Sequence, residues 1–296
     1  MTGTAHDGAR FRAMERDIWL VNNASSGSND DAALAALDAS CGDHGLRVAH
    51  RTTFPAQDLP TAAILDAAGI DLVAVFAGDG TVNGLIGALA GWSGAILVLA
   101  GGTMNLLYHR LHGDRGMEDV VAAVARGEAV ARRPGVIRCL HGEAYAEMIA
   151  GPGTSWAGVR EAMRGAAGVD LAESTIEAID ETLSGEMIAC VGPRLGRREG
   201  YPLLCLEAGD EAIKVVAYHA ERAADYLEHA LALVRRNFRE GPHELLGQVR
   251  EVRLASTRGN RFGLLIDGER AEAEAVVQFV LAACEVDLLA TRDDGS

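Results

Sequence analysis

The chain has 296 residues, of which 49% are hydrophobic, and carries a formal net charge of −15. This length and apolar content suffice for two domains with cores of their own. The acidic charge argues against sequence-independent binding to nucleic acid and against attraction of the whole molecule to anionic lipid. Five scattered cysteines without a CxxC pair argue against a disulfide framework or a structural zinc site, and fit a reducing cytoplasm.

Lys214 is the single lysine among the 27 basic residues. Walker P-loop enzymes need a lysine after their glycine-rich loop, and protein kinases need one on a strand beside the phosphates. No glycine-rich loop precedes Lys214, so both classes are excluded. Residues 1–17 are polar with mixed charge, and no uncharged apolar run reaches about 18 residues, so we expect neither a signal peptide nor a membrane span.

The first half of the chain alternates apolar runs with helical patterns. Predicted strands lie at 17–21, 46–50, 70–76 and 95–99, and predicted helices at 30–41, 61–68, 82–90 and 116–126. Such βα alternation is typical of a parallel sheet, in which the loops at the carboxyl ends of the strands share one crevice.

The turn Gly78-Asp79-Gly80-Thr81 follows the predicted strand 70–76 and precedes a helix. Glycine on both sides of one aspartate lets the backbone turn sharply, and a helix N-terminus presents N–H donors to an anion. Asp79 then suits a metal ion held between protein and phosphate; the alternative is an ordinary turn with a solvated or capping aspartate. Because an aspartate repels pyrophosphate unless a cation intervenes, the turn favours a Mg-nucleotide over NAD. The loop also follows the third strand, whereas a dinucleotide fingerprint normally follows the first.

Two other loops are predicted to border the same crevice. The segment Asn22–Gly27 follows the first strand, and Gly101–Asn105 follows the fourth. Three loops at one edge of a parallel sheet are a stronger indication of a nucleotide site than any one of them. The predicted cofactor-binding residues are Asn22, Ser26, Gly27, Gly78, Gly80, Thr81, Asn83, Gly101, Gly102, Thr103 and Asn105.

From residue 136 onward, short alternating runs punctuated by glycine and proline predict an antiparallel β domain. Two predicted helical segments, 156–182 and 220–239, interrupt it. We place the boundary at Arg133-Pro134, with a first domain at 15–134 and a second at 135–291. The sequence alone does not place the final apolar segment 286–291.

Asp267-Gly268-Glu269 ends the apolar run 262–266 of the second domain. A positioned carboxylate can deprotonate a hydroxyl that attacks a phosphoryl group, so Asp267 and Glu269 are candidate bases. The alternative is a solvent-exposed hairpin turn, in which Asp-Gly is common. On spacing alone, the hairpin turn is favoured.

Two smaller features admit more than one interpretation. Arg194, Arg197 and Arg198 form a basic loop that suits lipid headgroups, although a solvated charged loop is the commoner case. His109 and His112 lie three residues apart without a nearby carboxylate or cysteine, so we expect packing or surface positions rather than metal ligands.

Taken together, the motifs resemble the diacylglycerol kinase catalytic-domain family, the soluble bacterial lipid kinases related to sphingosine and ceramide kinases. The matching segments, in the family's order and over nearly the whole chain, are Asn22–Gly27, Gly78–Asn83, Gly101–Asn105 and Asp267–Glu269. The combination is specific, whereas the Gly-Asp-Gly-Thr turn alone also fits NAD kinases and phosphofructokinases.

The resemblance implies an α/β N-terminal domain with a parallel sheet, of the NAD kinase and diacylglycerol kinase type, that binds ATP and Mg²⁺. It implies a C-terminal antiparallel β-sandwich on the lipid side of the cleft. The implied activity is transfer of the γ-phosphate of ATP to the hydroxyl of a diacylglycerol-like or sphingoid lipid. Asp79 is implied at the nucleotide phosphates, as a metal ligand or in catalysis, and Asp79, Asp267 and Glu269 all remain candidates for the base.

The same resemblance implies a cytoplasmic enzyme that contacts the inner membrane transiently and peripherally, binds ATP and a lipid alcohol but no nucleic acid, and is compatible with a homodimer. The chain departs from the family pattern at three positions: Ala77 replaces a glycine, Asn23 a proline, and Leu106 an aspartate. Two alternatives stay open. One is an NAD-kinase-like enzyme with a soluble acceptor, and the other, motivated by Leu106, is a non-catalytic protein that binds nucleotide or lipid without turnover.

Overall fold

The computed structural model describes residues 16–24, 31–151, 187–218 and 243–292. The chain divides into two units, the first ending at Pro134 and resuming at Cys284, the second comprising Gly135–Ala283. The predicted helical segments 156–182 and 220–239 lie outside the described residues.

The first unit alternates strands and helices, as the sequence predicts. Its strands are β1 (Arg16–Asn23), β2 (Leu46–Phe54), β3 (Leu72–Ala77), β4 (Ala95–Ala100), β5 (Val130–Arg132) and β18 (Asp287–Ala290), and its helices are α1 (Asp31–Asp43), α2 (Ala62–Ala67), α3 (Asp79–Ala88), α4 (Leu106–His112) and α5 (Met117–Ala125). All six residues of β3 are buried. Burial at every position is expected of a parallel strand covered on both faces. Within the described ranges, none of these helices combines the length and apolar character that a bilayer span requires.

The described strands of this unit form one sheet in the order β2-β1-β3-β4-β18-β5. Neighbours from β2 to β18 are parallel, and β5 runs antiparallel to β18. The strand order reverses at β1 and β3, because the chain places β2 on one side of β1 and then crosses to place β3 on the other. Loops diverge at such a switch point, and ligands of open α/β sheets bind in the resulting crevice.

A strand from the far end of the chain completes the first sheet. Asp287 of β18 lies opposite Ala95 of β4, and Leu288 lies opposite Ile96. The assignment of residues 135–291 to the second domain is therefore wrong for its last part. Leu288 is fully buried, because β18 fills the position between β4 and β5, which are not themselves paired.

His112 ties the returning segment to the rest of the first unit. Its side chain is buried, with Nε2 3.1 Å from the carbonyl oxygen of Val98 and Nδ1 3.0 Å from Oγ1 of Thr291. A neutral imidazole satisfies both contacts if Nε2–H donates to Val98 and Nδ1 accepts from the hydroxyl. Burial lowers the pKa of His112 to about 4. This histidine therefore packs within the fold, as the sequence indicates.

The second unit consists of antiparallel strands in two sheets. Its strands are β6 (Gly135–Cys139), β7 (Gly142–Ala144), β8 (Glu147–Ala150), β9 (Ile188–Gly192), β10 (Arg194–Leu195), β11 (Leu203–Ala208), β12 (Ile213–Tyr218), β13 (His243–Val249), β14 (Glu251–Ser256), β15 (Phe262–Ile266), β16 (Glu269–Ala273) and β17 (Val276–Ala283). The described strands pair in the orders β10-β9-β14-β17-β6-β7 and β13-β12-β11-β8-β15-β16. The predicted fold class, an α/β domain with a parallel sheet followed by a β-sandwich, is confirmed.

Apolar residues from both sheets form the core of the second unit. This core includes Leu254, Leu264 and Phe279, whose side chains are fully buried. Successive side chains of a strand point to opposite faces, and Leu265 accordingly joins a smaller apolar cluster with Ile149. The position of Asp267 at the end of β15 follows from this alternation.

We expect acid to destabilise the first unit through His112. Above about pH 6.5 the imidazole is neutral in both states, but below it the unfolded chain binds a proton that the folded chain excludes until about pH 4. This linkage removes on the order of 3 kcal/mol of unfolding free energy between about pH 7 and about pH 4. Urea unfolding of wild type and His112→Gln across this range measures it. Parallel pH profiles of the two proteins would contradict the assignment.

Candidate functional site

The aspartate-bearing turn forms the N-terminus of α3. Gly78 is the N-cap residue in an extended conformation, and the backbone N–H groups of Thr81 and Val82 both donate to its carbonyl at 3.1 Å. Asp79 is the first residue of the helix. The first turn is thereby closed on Gly78, and the positive end of the helix dipole lies at the carboxyl end of β3.

The two glycine-rich loops touch backbone to backbone. A Cβ on Gly102 would lie 2.4 Å from the Cα of Gly78, and one on Gly101 would lie 2.5 Å from the backbone nitrogen of Ala77. Both distances are shorter than a carbon atom can approach, so a side chain at either position would force the loops apart. The requirement for glycine after β4 therefore comes from close approach of two chain segments.

Asn105 fixes the shape of the second glycine loop. Its backbone is left-handed, with φ of 53°, and it directly precedes α4. Its side-chain oxygen accepts from the N–H of Gly102 at 2.7 Å, and its amide donates to the carbonyl of Gly102 at 3.0 Å. Asparagine is among the few residues that adopt this conformation readily. Asn105, predicted as a cofactor contact, thus has a defined role in holding the loop.

The carboxylate of Asp79 reaches the start of α4. Its Oδ1 accepts from the backbone N–H of Leu107 at 3.4 Å. Leu106, the first residue of α4, therefore lies beside Asp79. The aspartate that the family pattern has at position 106 is a leucine in this chain.

The residues present fit a magnesium ion held mainly by phosphate. Among the described residues, no group of three or more His, Cys, Asp or Glu side chains could hold a metal ion. Mg²⁺ commonly binds through one or two carboxylates, with phosphate oxygens and water completing its octahedron. Asp79 alone suits that arrangement, whereas a site made wholly of protein ligands is not formed here.

Asn23 joins the first loop to the aspartate-bearing helix. Its Nδ2 donates to Oγ1 of Thr81 at 2.8 Å, across the switch point between β1 and β3. Asn22, the predicted contact, is buried and its Oδ1 accepts from the hydroxyl of Thr53 at 3.3 Å. Neighbouring strand residues face opposite ways, so only one of the two asparagines turns toward α3. The predicted contacts did not include Asn23. The alternation of side chains along β1 is the sequence pattern that indicates it.

The remaining predicted contacts differ in exposure. Gly80 and Thr103 are exposed, and Asn83 is half-buried on α3. Ser26 and Gly27 lie outside the described residues. The structure therefore brings together the loops after β1, β3 and β4, while contact of each residue with a nucleotide stays a prediction.

Asp267 is an anchor within the second unit. It is 4% exposed and has a φ of 46°. Its Oδ2 accepts from the N–H of Tyr145 at 2.7 Å, and its Oδ1 accepts from those of Ala146 and Glu147 at 3.0 and 2.9 Å. Three backbone donors on one carboxylate hold the turn between β7 and β8 against the end of β15. This geometry is structural, and the role of Asp267 as a base stays a prediction.

Glu269 stands in a different environment from Asp267. It is the first residue of β16, lies opposite Ile266, and is exposed. A general base must reach the proton that it removes, and exposure leaves Glu269 accessible to an acceptor. Its role in catalysis is likewise a prediction.

The fold and the loops define a class of protein, an α/β domain with glycine-rich loops at its switch point joined to a β-sandwich. Residues 17–135 match the family model of the diacylglycerol kinase catalytic domain. The resemblance to this family that the motifs indicate is thus confirmed over those residues. No curated protein sequence matches the chain.

Solved structures show the same fold. The chain is similar to a diacylglycerol kinase from Bacillus anthracis strain Sterne, with a TM-score of 0.56 and 12% identity over 93% of this chain and 97% of the other. Two further structures from that organism have TM-scores of 0.57 and 0.55 and identities of 12% and 13%. The first of these matches covers 98% of both chains. The second covers 92% of this chain and 96% of the other. At such identities the likeness is one of fold.

Replacing Gly102 with alanine should break the contact between the glycine loops. The new methyl group would meet the backbone of Gly78 at 2.4 Å, and overpacking of this kind typically costs about 1–3 kcal/mol. Gly87→Ala, on α3 with nothing within 4 Å of its Cβ, is the matched control and should be neutral or slightly stabilising. Urea unfolding measures both, and equal stability of the two variants would contradict the proposed contact.

Asp267→Ala should destabilise the second unit by more than about 3 kcal/mol, because it leaves several backbone N–H groups of the β7–β8 turn without their acceptor. Glu269→Ala, on the exposed first residue of β16, should change stability by less than about 0.5 kcal/mol. Thermal and urea unfolding of the two variants provide the measurement. Similar stabilities would show that Asp267 is not an anchor.

Proposed function

We propose that the protein is an ATP- and Mg²⁺-dependent lipid kinase that transfers the γ-phosphate to the hydroxyl of a diacylglycerol-like or sphingoid lipid. One observation carries the proposal. Asp79 begins α3 where that helix meets the Gly101–Gly102 loop, at the switch point of a domain that matches the diacylglycerol kinase catalytic family.

Backbone groups bind the nucleotide phosphates in this proposal. The N-terminus of α3 supplies N–H donors and the positive end of a helix dipole, both of which favour an anion. Gly101 and Gly102 carry no side chains that would separate phosphate from backbone. Asn105 and the Asn23–Thr81 hydrogen bond keep the loops in place.

Asp79 would hold the magnesium ion, which neutralises charge on the transferred phosphoryl group. The hydrogen bond from Leu107 orients the carboxylate. Leu106 contributes no carboxylate, so under this proposal Asp79 would be the protein ligand that this part of the site supplies. We therefore expect a higher Mg²⁺ requirement than a site with two carboxylates would have.

The acceptor hydroxyl must lose its proton during transfer. Of the two candidate carboxylates in the second unit, Glu269 suits this role better than Asp267, because Glu269 is exposed and Asp267 is committed to three backbone donors. Asp79 remains the candidate in the first unit. A membrane lipid as acceptor implies a cytoplasmic enzyme with transient contact to the inner membrane.

The proposal is tested by measuring transfer of labelled phosphate from ATP to a panel of acceptors. The panel contains diacylglycerol, sphingosine, ceramide and, as a soluble acceptor, NAD. We expect product with a lipid alcohol, dependence on added Mg²⁺, and a loss of kcat of about a hundredfold or more in Asp79→Ala, since positioning and charge stabilisation supply most of the rate of phosphoryl transfer.

Asp43→Ala is the matched control, because Asp43 is an exposed carboxylate at the end of α1. Transfer to NAD in place of lipid would favour the NAD-kinase-like alternative. Tight ATP binding without transfer to any acceptor would favour the non-catalytic alternative. Full activity of Asp79→Ala would remove that residue from its proposed role.

A further inference from the structure

A basic loop on the second unit displays arginines that have no carboxylate partner among the described residues. Arg194, Arg197 and Arg198 are all exposed, and within the described ranges none of the three forms an ion pair. Some exposed arginines elsewhere in the described chain, such as Arg126 and Arg261, are paired with glutamates, whereas Arg250 and Arg253 beside the loop form no ion pair within the described ranges. Glu199 is the one carboxylate inside the loop.

A buried tyrosine gives this loop a fixed shape. The hydroxyl of Tyr201, whose side chain is 1% exposed, accepts from the backbone N–H of Arg197 at 3.0 Å. The guanidinium carbon of Arg197 lies 5.7 Å from the centre of the Tyr201 ring. A Cβ on Gly196, which has a φ of +66°, would lie 2.2 Å from the tyrosine oxygen. The backbone that carries the arginines is therefore anchored to the core.

Exposed apolar side chains accompany the arginines. Val191 is 43% exposed and pairs directly with Arg194 across the β9–β10 hairpin. Leu195 packs against Gly247 of β13, and Leu245 of the same strand is 51% exposed. The Val191–Arg194 pair thus places an apolar and a basic group side by side, which is the combination that holds peripheral proteins on a membrane.

The hairpin also borders a groove of about 500 Å³. Its lining includes Pro193 of the hairpin together with Arg250 and Arg253, while Glu251 is the acidic side chain in it. Arg253 is exposed and lies against Gly192. Two arginines against one glutamate give this groove a small excess of positive charge, which suits a phosphate-bearing headgroup.

We propose that this surface, formed by residues 191–198, Leu245 and Arg253, docks the protein on an anionic lipid bilayer. The proposal rests on the proposed function and deepens it, because it names the part of the chain that meets the membrane holding the acceptor. Charge complementarity favours this occupant: unpaired arginines face lipid phosphates, with aliphatic side chains able to enter the headgroup layer.

The net charge of −15 does not oppose such docking. Charges farther away than the Debye length, about 8 Å at physiological ionic strength, are largely screened, so the bilayer responds to the local patch. Each basic residue near an anionic surface raises the partition constant roughly fivefold. The three arginines of the loop together should contribute on the order of a hundredfold.

Cosedimentation of the full chain with phosphatidylcholine vesicles, with or without phosphatidylglycerol, tests the surface. Wild type should bind the anionic vesicles at physiological ionic strength, where the distant acidic residues are screened, and be released at high salt. Arg194→Gln/Arg197→Gln/Arg198→Gln should lower the partition constant about a hundredfold, whereas the corresponding triple lysine variant should retain most of it. Val191→Ser/Leu245→Ser should weaken binding less, and with little dependence on salt.

The matched control is Arg47→Gln/Arg126→Gln/Arg261→Gln, which removes the same charge from exposed arginines that have acidic partners. It should bind like wild type. No binding of wild type to anionic vesicles, or equal loss in the control, would overturn the docking surface, and a self-association that the loop variant abolishes would assign the surface to a second copy of the chain.

Phosphate transfer to a short-chain, water-soluble diacylglycerol separates this proposal from the proposed function. Wild type and the loop variant should phosphorylate it equally, because none of the three arginines is among the candidate site residues. Vesicle binding that depends on the loop without any transfer would uphold the docking surface and overturn the kinase activity. Transfer without vesicle binding would uphold the kinase activity and overturn the docking surface.

Discussion

The contact between the backbones of Gly78 and Gly102 is the constraint on which the candidate site depends. Parallel strands β3 and β4 end side by side, and their loops remain in contact only because neither carries a side chain there. This contact sets the start of α3, and with it the position of Asp79. Asn105 and Asn23 then hold the two flanking loops through hydrogen bonds. The geometry of the site therefore depends first on how the backbone segments pack, and only then on the side chains that they carry.

The two conspicuous aspartates have different physical roles despite their similar glycine surroundings. Asp79 sits at a helix N-terminus, and its carboxylate accepts a long hydrogen bond from the backbone N–H of Leu107. Asp267 is buried, and its carboxylate accepts from three consecutive backbone N–H groups. A carboxylate used in this way stabilises a turn, and the cost of removing it falls on stability. Motif spacing does not distinguish these two cases, because hydrogen-bond partners come from distant parts of the chain.

Lipid recognition would require a surface feature of the second unit in addition to its apolar core. The core of the sandwich accounts for the fold, but not for a loop of exposed arginines on the surface of an acidic protein, without ion pairs among the described residues and with its backbone hydrogen-bonded to Tyr201. Under the proposed function, the enzyme needs a surface that recognises lipid. The arginine loop, Val191 and the adjoining groove provide basic and apolar groups in one place.

The sequence by itself determined the alternation of strands and helices, the change to antiparallel strands near residue 135, and the family of the N-terminal unit, because each depends on local periodicity and contiguous motifs. Only the tertiary structure decided that β18 returns to the first sheet, that Asn23 rather than Asn22 reaches Thr81, and that Asp267 anchors a turn. Those outcomes depend on which segments meet in space. No local pattern in a single sequence specifies such contacts, because their partners lie far apart along the chain. His112 and Thr291, for example, are 179 residues apart and come into contact only by folding.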